Sequence, residues 1–339
     1  MIRNLQFYRG TGTNPYDNLA LEAYFFQHCP PETCIFYLWQ NERTVVIGKN
    51  QNAWRECNVD LLEQENGFLA RRPSGGGAVF HDLGNLNFTF VAPAEDYHVS
   101  RQLDVICRAV RTFGLNAQKT GRNDIAVDGK KFSGNAFQKS KKAGCHHGTL
   151  LIHVDTAQMA RYLTVSAKKL QAKGVPSVQS RVVNLQALCP AITVESLSAA
   201  LFQAFEETYG LTAQILSSES VDWEEVRKIS ASFASWQWRL GREMPFSCEL
   251  AERFSWGEVV FRFDVNKGKI TDVQVYSDAM DTDFIEKVPP LLRNLPFSFS
   301  VLADALNPLA QTPQYVTMTT DLQTLLRNGP QQAKGGKTK

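Results

Sequence analysis

Three segments of the chain carry residue types that can do chemistry. The first is Arg71-Arg72-Pro73-Ser74-Gly75-Gly76-Gly77-Ala78-Val79-Phe80-His81-Asp82-Leu83-Gly84-Asn85. Glycines let a backbone approach a ligand closely and adopt positive φ, so that N–H groups face phosphate or carboxylate oxygens. Arginine grips the same oxygens in pairs. The pattern is neither G-x-x-x-x-G-K-[ST] nor G-x-G-x-x-G. Alone, a triple glycine is a flexible turn between strands. Two arginines before it and His81-Asp82 after it favour an anion site.

The second segment is NDIAVDGKKFS, Asn123–Ser133. Asp128-Gly129 between two short strands signals a type I′ turn. A two-residue loop pairs Val127 with Lys130, Ala126 with Lys131, Ile125 with Phe132 and Asp124 with Ser133. Directly paired residues share a face. This predicts Asp124, Ala126, Lys131 and Ser133 on one face, and Ile125, Val127 and Phe132 on the other, with Lys130 at its end. Lys131 then stands near a carboxylate and is the better candidate for a phosphate or carboxylate contact. Lys130 reads as a solvated stem. Asp124 either pairs with Lys131 or holds Mg²⁺ against a nucleotide phosphate.

The third is Ala143-Gly144-Cys145-His146-His147-Gly148-Thr149, leading into a strand at Leu150–Val154. Adjacent histidines on an extended chain point to opposite sides, so at most one faces a given site. They lack the i, i+4 spacing of a helical metal pair. Cys145 is the one thiol beside potential bases, which leaves a cysteine nucleophile open. The other cysteines read as small core hydrophobes.

These segments need elements to position them. Asn14-Pro15 opens a helix with Leu19, Tyr24 and Phe25 inward. Cys34–Trp39, Thr44–Gly48 and Leu86–Val91 read as strands. Val99, Leu103, Ile106, Cys107 and Val110 keep helical spacing, with Arg101, Arg108 and Arg111 on the polar side. Leu197, Leu201, Ala204 and Phe205 mark a helix that ends near Tyr209-Gly210. The texture changes around Met244–Glu252. A hairpin follows, with Phe261, Phe263 and Val265 before Asn266-Lys267-Gly268 and Ile270 to Tyr276 after it. The last residues, PQQAKGGKTK, are polar.

At 339 residues the chain suggests two domains, and 43% hydrophobic with 21% charged residues is an ordinary globular composition. No apolar run is long enough to span a membrane, and Glu22 interrupts Leu19–Phe26. The N-terminus MIRNLQFYRG lacks the apolar stretch of a secretory signal. Seven cysteines without a CxxC pair read as free thiols in a reducing compartment, hence the cytoplasm. A net charge of +2 argues against general nucleic-acid binding. Between Arg101 and Arg181, however, 15 Lys/Arg stand against 4 Asp/Glu, a surplus of +11 that suggests an acidic partner.

In order, RRPSGGGAVFHDLGN, GRNDIAVDGKKFSG and CHHGTLLI resemble the lipoate–protein ligase family, part of the biotin/lipoate ligase superfamily. SVQSRVVNL at Ser177–Leu185 and ERTVVIGKNQN at Glu42–Asn52 resemble it too, and the likeness extends through FSWGEVVFRFDVNKGKITDVQVYSD. The resemblance implies an α+β fold. A catalytic domain at 1–246 has mixed and antiparallel sheets with flanking helices. A small α/β accessory domain follows at 252–330, then a flexible tail at 331–339. It implies two half-reactions: lipoate and ATP give lipoyl-AMP and pyrophosphate, and a lysine of a lipoyl domain then takes the lipoyl group.

It also implies site residues. Lys131 is the catalytic one. ATP and lipoyl-AMP fall to Arg71, Arg72, Ser74, Gly75, Gly76, Gly77, Ala78, Val79, Phe80, His81, Asn85, Asp124, Lys131, Ser133, Gly134 and Ala136. Lipoate falls to Trp39, Val46, Arg72, Gly77, Lys131, His147, Gly148 and Thr149, and Mg²⁺ to Asp124. ATP–Mg²⁺ and lipoate are substrates, and no permanently bound cofactor is expected. The implied partners are lipoyl domains of 2-oxo acid dehydrogenase acyltransferase subunits and the glycine cleavage H protein. The chain is expected as a monomer, with no nucleic acid or membrane. Pro73 and Cys145 depart from the family pattern, where a small polar residue and an aromatic are common.

Competing readings are a lipoyltransferase that uses pre-formed lipoyl-AMP, an octanoyltransferase of the same fold working through a cysteine thioester, and a non-catalytic lipoate- or nucleotide-binding module. A biotin ligase fits less well, because its Gly-rich signature differs and no helix-turn-helix precedes the catalytic region.

Overall fold

A computed structural model describes residues 1–121, 123–164, 182–241 and 246–332. Outside them fall Arg122, Lys168, Lys169, Lys173 and Arg181 of the basic tract, Ser177–Arg181 of the SVQSRVVNL motif, Met244 and Pro245 at the change of texture, and residues 333–339 of the tail. The chain forms two compact units. One comprises Met1–Ile47, Ala53–Pro73 and Ala78–Leu240; the other comprises Gly48–Asn52, Ser74–Gly77 and the chain from Gly241.

The strands of the first unit are β1 (Asn4–Arg9), β2 (Thr33–Trp39), β3 (Thr44–Ile47), β4 (Phe68–Arg71), β5 (Val79–His81), β6 (Asn85–Pro93), β7 (Ala117–Thr120), β8 (Asp124–Val127), β9 (Lys130–Lys139), β10 (Ala143–Leu151) and β11 (Ala213–Ile215). Eight of them make one sheet in the order β11-β1-β2-β6-β10-β9-β8-β7, and β4-β3-β5 make a second. The large sheet is mixed: β1 runs parallel to β2 and β11, while β2, β6, β10 and β9 are antiparallel neighbours. This is the α+β fold that the sequence implied.

Strand β2 explains why the run Cys34–Trp39 is apolar throughout. Alternate side chains face opposite sides of a sheet, and here both sides are covered. Cys34, Phe36 and Leu38 join Phe88, Phe90 and the helices Val99–Arg111 and Val194–Tyr209 in one core. Ile35, Tyr37 and Trp39 join Leu19, Phe25, Val91 and Cys145 in another, under the helix Pro15–Gln27. That helix starts where expected: Asn14 caps it, its side chain accepting from Tyr16 N. The helix Val194–Tyr209 ends at Gly210 in the left-handed region, φ 67°.

Two local expectations need correction. The strand expected at Leu150–Val154 is Ala143–Leu151, so the two histidines lie inside it. β10 is central, paired with β6 on one side and β9 on the other, so the polar residues Cys145–Thr149 are buried within the strand rather than preceding it. The hairpin turn is as expected, with Asp128 at φ 50° and Gly129 at φ 77°. Val127 pairs with Lys130 and Ala126 with Lys131, but Ile125 then pairs with Ser133 and Asp124 with Gly134. A bulge absorbs one residue of β9. Ile125, Val127 and Phe132 still reach the same core.

In the second unit, β12 (Cys248–Phe254), β13 (Gly257–Asn266) and β14 (Lys269–Ser277) form an antiparallel sheet. Phe261 and Phe263 pack with Phe284 and Leu292 of the helix Thr282–Leu292, and with Leu302 and Leu322. Lys267 and Gly268 close the hairpin at φ 48° and 75°.

His146 and His147 divide between the two faces of the large sheet. The His146 ring lies among Phe88, Phe90 and Phe137. Asn135 donates to the Asn123 carbonyl, which fixes its amide and leaves Oδ1 to accept from His146 Nε2 at 2.9 Å. The other ring nitrogen, Nδ1, is 3.0 Å from Gln102 Oε1, and a neutral ring with its proton on Nε2 requires that amide turned so that its NH2 donates to Nδ1. Burial holds this ring well below its ordinary 6.5, so it folds neutral. An unfolded ring gains a proton below about 6.5 and the folded one does not. Stability is therefore complete above that pH and falls below it, by about 1.4 kcal/mol per pH unit for each such ring. Urea unfolding from about pH 6.5 to about pH 5 should show this loss, with a shallower slope in His146→Gln. A flat wild-type profile over that window would contradict neutral burial.

Candidate functional site

The lysine hairpin supplies the first charged group. Lys131 Nζ lies 2.7 Å from Asp124 Oδ1. Lys130 is exposed and Lys131 half-buried. The bulge thus alters the register without undoing the pairing of Lys131 with Asp124. Gly134 makes room for the ammonium: a Cβ there would stand 2.8 Å from Lys131 Nζ. Its N–H donates to Thr149 Oγ1 at 3.2 Å, tying the lysine strand to β10. Ser133 is fully buried, and its Oγ accepts from Asn135 Nδ2.

A hydrogen-bond relay fixes the state of His81. Tyr37 donates its hydroxyl to Asn18 Oδ1 at 3.0 Å, so the Asn18 amide nitrogen points to Asn41 Oδ1, also at 3.0 Å. Asn41 then donates its own amide to His81 Nδ1 at 3.2 Å. His81 Nδ1 is an acceptor, and the proton of the neutral ring sits on Nε2. Nε2 is buried with no hydrogen-bond partner among the described residues. Burial first, then the charges of Arg72 and His147, lower this histidine to about 3. A buried N–H without an acceptor costs free energy, and a ligand oxygen would satisfy it. The neighbouring Asp82 braces the loop instead, accepting from Gly84 N at 2.8 Å and from Asp155 N at 2.8 Å.

The two arginines also divide. Arg71 Nε donates to the Trp238 carbonyl and Nη2 to the Arg239 carbonyl, both at 2.8 Å, while Trp238 Nε1 returns a bond to the Arg71 carbonyl. Arg71 thereby anchors the short helix Trp236–Arg239. Arg72 is buried, and desolvation pulls its guanidinium down to about 10 against the opposing pull of Glu22.

Trp39 and Val46 share one apolar cluster with Ala70, Val91 and Cys145. A polar chain runs beside it. Trp39 Nε1 donates to Thr89 Oγ1 at 3.0 Å, and Thr89 donates to Glu22 Oε2 at 2.6 Å. Glu22 Oε1 lies 2.7 Å from His147 Nδ1. Gly148 is required where it stands, since a Cβ would meet the Phe88 ring at 2.6 Å. Val79 packs on the Trp39 side, whereas the Phe80 side chain points the other way and packs on Tyr162. Asn85 donates to Asn87 Oδ1 at 2.8 Å, and Ala136 lies opposite His147 in the ladder.

Glu22, Thr89, Asn18 and Asn41 are part of this arrangement and were missed in the sequence. Glu22 did carry a signal: it lies three residues from each of the inward-facing Leu19 and Phe25, so its carboxylate had to be buried.

The Gly-rich loop Ser74–Gly77 belongs to the second unit. Gly76 has φ 89° and donates to the Ala279 carbonyl at 3.3 Å. A Cβ on Gly75 would stand 2.3 Å from the Ala279 oxygen, and one on Gly48 2.3 Å from the Gly76 oxygen. Lys49 N donates to the Ser74 carbonyl. The GKNQN stretch therefore braces the Gly-rich loop.

Comparison with known proteins accords with this geometry. The lipoyl protein ligase A/B catalytic domain matches residues 14–206, and the bacterial lipoate protein ligase C-terminus matches residues 243–327. Among solved structures, P. falciparum LipL1 in complex with lipoate is 28% identical, with a TM-score of 0.82 over 95% of this chain and 98% of that one. The bipartite lipoate protein ligase of Thermoplasma acidophilum, described with its E2 lipoyl domain, is 26% identical, with a TM-score of 0.62 over 72% of this chain and 99% of that one. A lipoate-protein ligase A bound with ATP is 25% identical, with a TM-score of 0.61 over 71% of this chain and 99% of that one. The chain belongs to the lipoyl protein ligase A/B family and is a lipoate–protein ligase.

Proposed function

We propose that this ligase is ATP-dependent: it activates lipoate to lipoyl-AMP and transfers the lipoyl group to a lysine of lipoyl domains. The observation that carries the reading is the Lys131–Asp124 pair beside Gly134 and Thr149. In the first step a lipoate carboxylate oxygen attacks the α-phosphorus of ATP and pyrophosphate leaves. In the second, the acceptor amine attacks the acyl carbonyl, AMP leaves and the amine loses a proton. Both steps gather negative charge on oxygen, which fixed cations and N–H donors stabilise. Lys131 acts electrostatically in both. The His81 Nε2–H is a further donor for a substrate oxygen.

The nucleotide residues are assigned by motif: Arg71, Arg72, Ser74–His81, Asn85, Asp124, Ser133, Gly134 and Ala136. Trp39, Val46, Arg72, Gly77, Lys131 and His147–Thr149 are assigned to lipoate. Asp124 offers one carboxylate, which suits Mg²⁺ held mainly by phosphates and water. We assign the catalytic domain to 1–246, the accessory domain to 252–330 and the tail to 331–339. The two family matches support the first two spans. The ATP-bound and lipoate-bound relatives support the substrates, and the archaeal ligase described with its lipoyl domain supports that class of acceptor. We place the enzyme in the cytoplasm, on the strength of seven free cysteines. No helix among the described residues is long and apolar enough to cross a membrane.

The octanoyltransferase reading loses support at Cys145. Burial raises its thiol well above the ordinary value, which disfavours the nucleophilic thiolate.

Pyrophosphate release from lipoate and ATP, without acceptor, tests the reading. Lys131→Ala should lower it by about 10²- to 10³-fold, while Lys130→Ala stays near wild type. Gly134→Ala, which displaces only the end of a flexible side chain, should cost up to about 100-fold with little change in Tm. Equal losses in the two lysine variants would sink the assignment of Lys131.

Of the basic tract, Lys139, Lys141 and Lys142 are exposed together at the β9–β10 turn. Their triple change to Glu should raise KM for an acidic lipoyl domain and leave pyrophosphate release intact. An unchanged KM would remove this turn from acceptor docking.

A further inference from the structure

We propose that Glu22, Cys145 and His147 form a binding site for a borderline transition-metal ion of the Zn²⁺ class. Their donor atoms lie within 4.8 Å of one another, and all three residues are buried. Cys145 and His147 are two apart on β10, where a period of two puts both on one face. A Cys-x-His pair on a strand thus does what i, i+4 spacing does on a helix. Glu22 arrives from the helix Pro15–Gln27.

The chemistry of the donor set fits. Thiolate, imidazole and carboxylate bind Zn²⁺ at about 2.0–2.3 Å, which sets neighbouring donors roughly 3.3–3.8 Å apart in a tetrahedron. The 2.7 Å between Glu22 Oε1 and His147 Nδ1 is a hydrogen-bonded separation. An ion would replace the shared proton and open this pair by less than about 1 Å. Glu22 Oε2 already accepts from Thr89, which accepts from Trp39. Outer hydrogen bonds of this kind fix the orientation of metal ligands. A thiolate, a carboxylate and a divalent ion sum to zero charge, which suits an apolar surrounding of Tyr37, Trp39 and Val91. As the metal binds, the thiol proton passes to the buffer, the proton between Glu22 and His147 leaves with it, and the neutral imidazole carries its one proton on Nε2 while Nδ1 ligates.

Three protein ligands leave a fourth position open. On the reading that Trp39 and Val46 flank the acyl chain, an ion here lies in the chain's path, and metal and lipoate exclude each other.

The test is titration of the metal-free, full-length protein with Co²⁺. One equivalent should give the visible bands of tetrahedral cobalt with a thiolate-to-cobalt charge-transfer band. Cys145→Ser should lose that band and weaken binding by more than about 100-fold, beyond what loss of an outer partner costs. Cys34→Ser, which removes a buried thiol in the other core, should keep it. Zinc K-edge absorption of the wild-type protein gives a readout free of any variant's folding: one sulfur with lighter N/O neighbours is expected. A cobalt spectrum without the thiolate band, the same band in Cys145→Ser, or a zinc shell without sulfur would overturn the site. Lipoate should raise the apparent Kd for Co²⁺. If Co²⁺ binds through Cys145 and lipoate leaves its Kd unchanged, the metal site stands and the placement of the acyl chain falls.

Discussion

The structure depends on keeping charged and hydrogen-bonding groups out of water on one face of a large sheet. Glu22 is the centre of that constraint. A lone buried carboxylate is costly, and it persists only when its oxygens are matched. Here Thr89 and His147 match them, and Trp39 supports Thr89. Arg72 and His81 are desolvated in the same unit. Charges act more strongly where water is excluded. On the proposed function, the groups that would stabilise an acyl-adenylate are therefore set in place before substrate arrives.

The elements around this face follow from the same requirement. β2, β6 and β10 are central strands with both faces covered, so their side chains have little freedom. His146 locks one face through Asn135 and Gln102, while His147 serves the other. The lysine hairpin is held differently. Its apolar residues reach the core from one side, its turn takes positive φ at Asp128 and Gly129, and Gly134 leaves the space that Lys131 occupies. The Gly-rich loop needs glycine for contact rather than for flexibility, since a side chain on Gly75 would meet the backbone at Ala279.

Much of this was legible in the sequence, for physical reasons. β2 showed as an apolar run, the first helix as Asn14-Pro15, and the hairpin turn as Asp128-Gly129. Lys131 could be told from Lys130 by counting pairs across that turn. The bulge that places Asp124 opposite Gly134 could not be counted, because one residue absorbed into β9 leaves no mark on the alternation of Ile125, Val127 and Phe132. The strand containing His146 and His147 was hidden because its polar residues are satisfied by partners far away in sequence. The burial of Glu22 was legible from its helical spacing, but its partners, 67 and 125 residues distant, were not. The protonation of His81 was beyond reach, since it rests on four side chains relaying one orientation.

One set of fixed charges, on this reading, serves both the formation and the use of an acyl-adenylate. The decisive measurement is incubation of the enzyme with lipoate and α-labelled ATP, followed by a chase with unlabelled ATP and a lipoyl domain. Label should be held on the enzyme as lipoyl-AMP and released as AMP in step with lipoylation of the acceptor lysine. Lipoylation that proceeds from lipoate and ATP with no labelled adenylate at any time, or that occurs only when lipoyl-AMP is supplied ready-made, would contradict it.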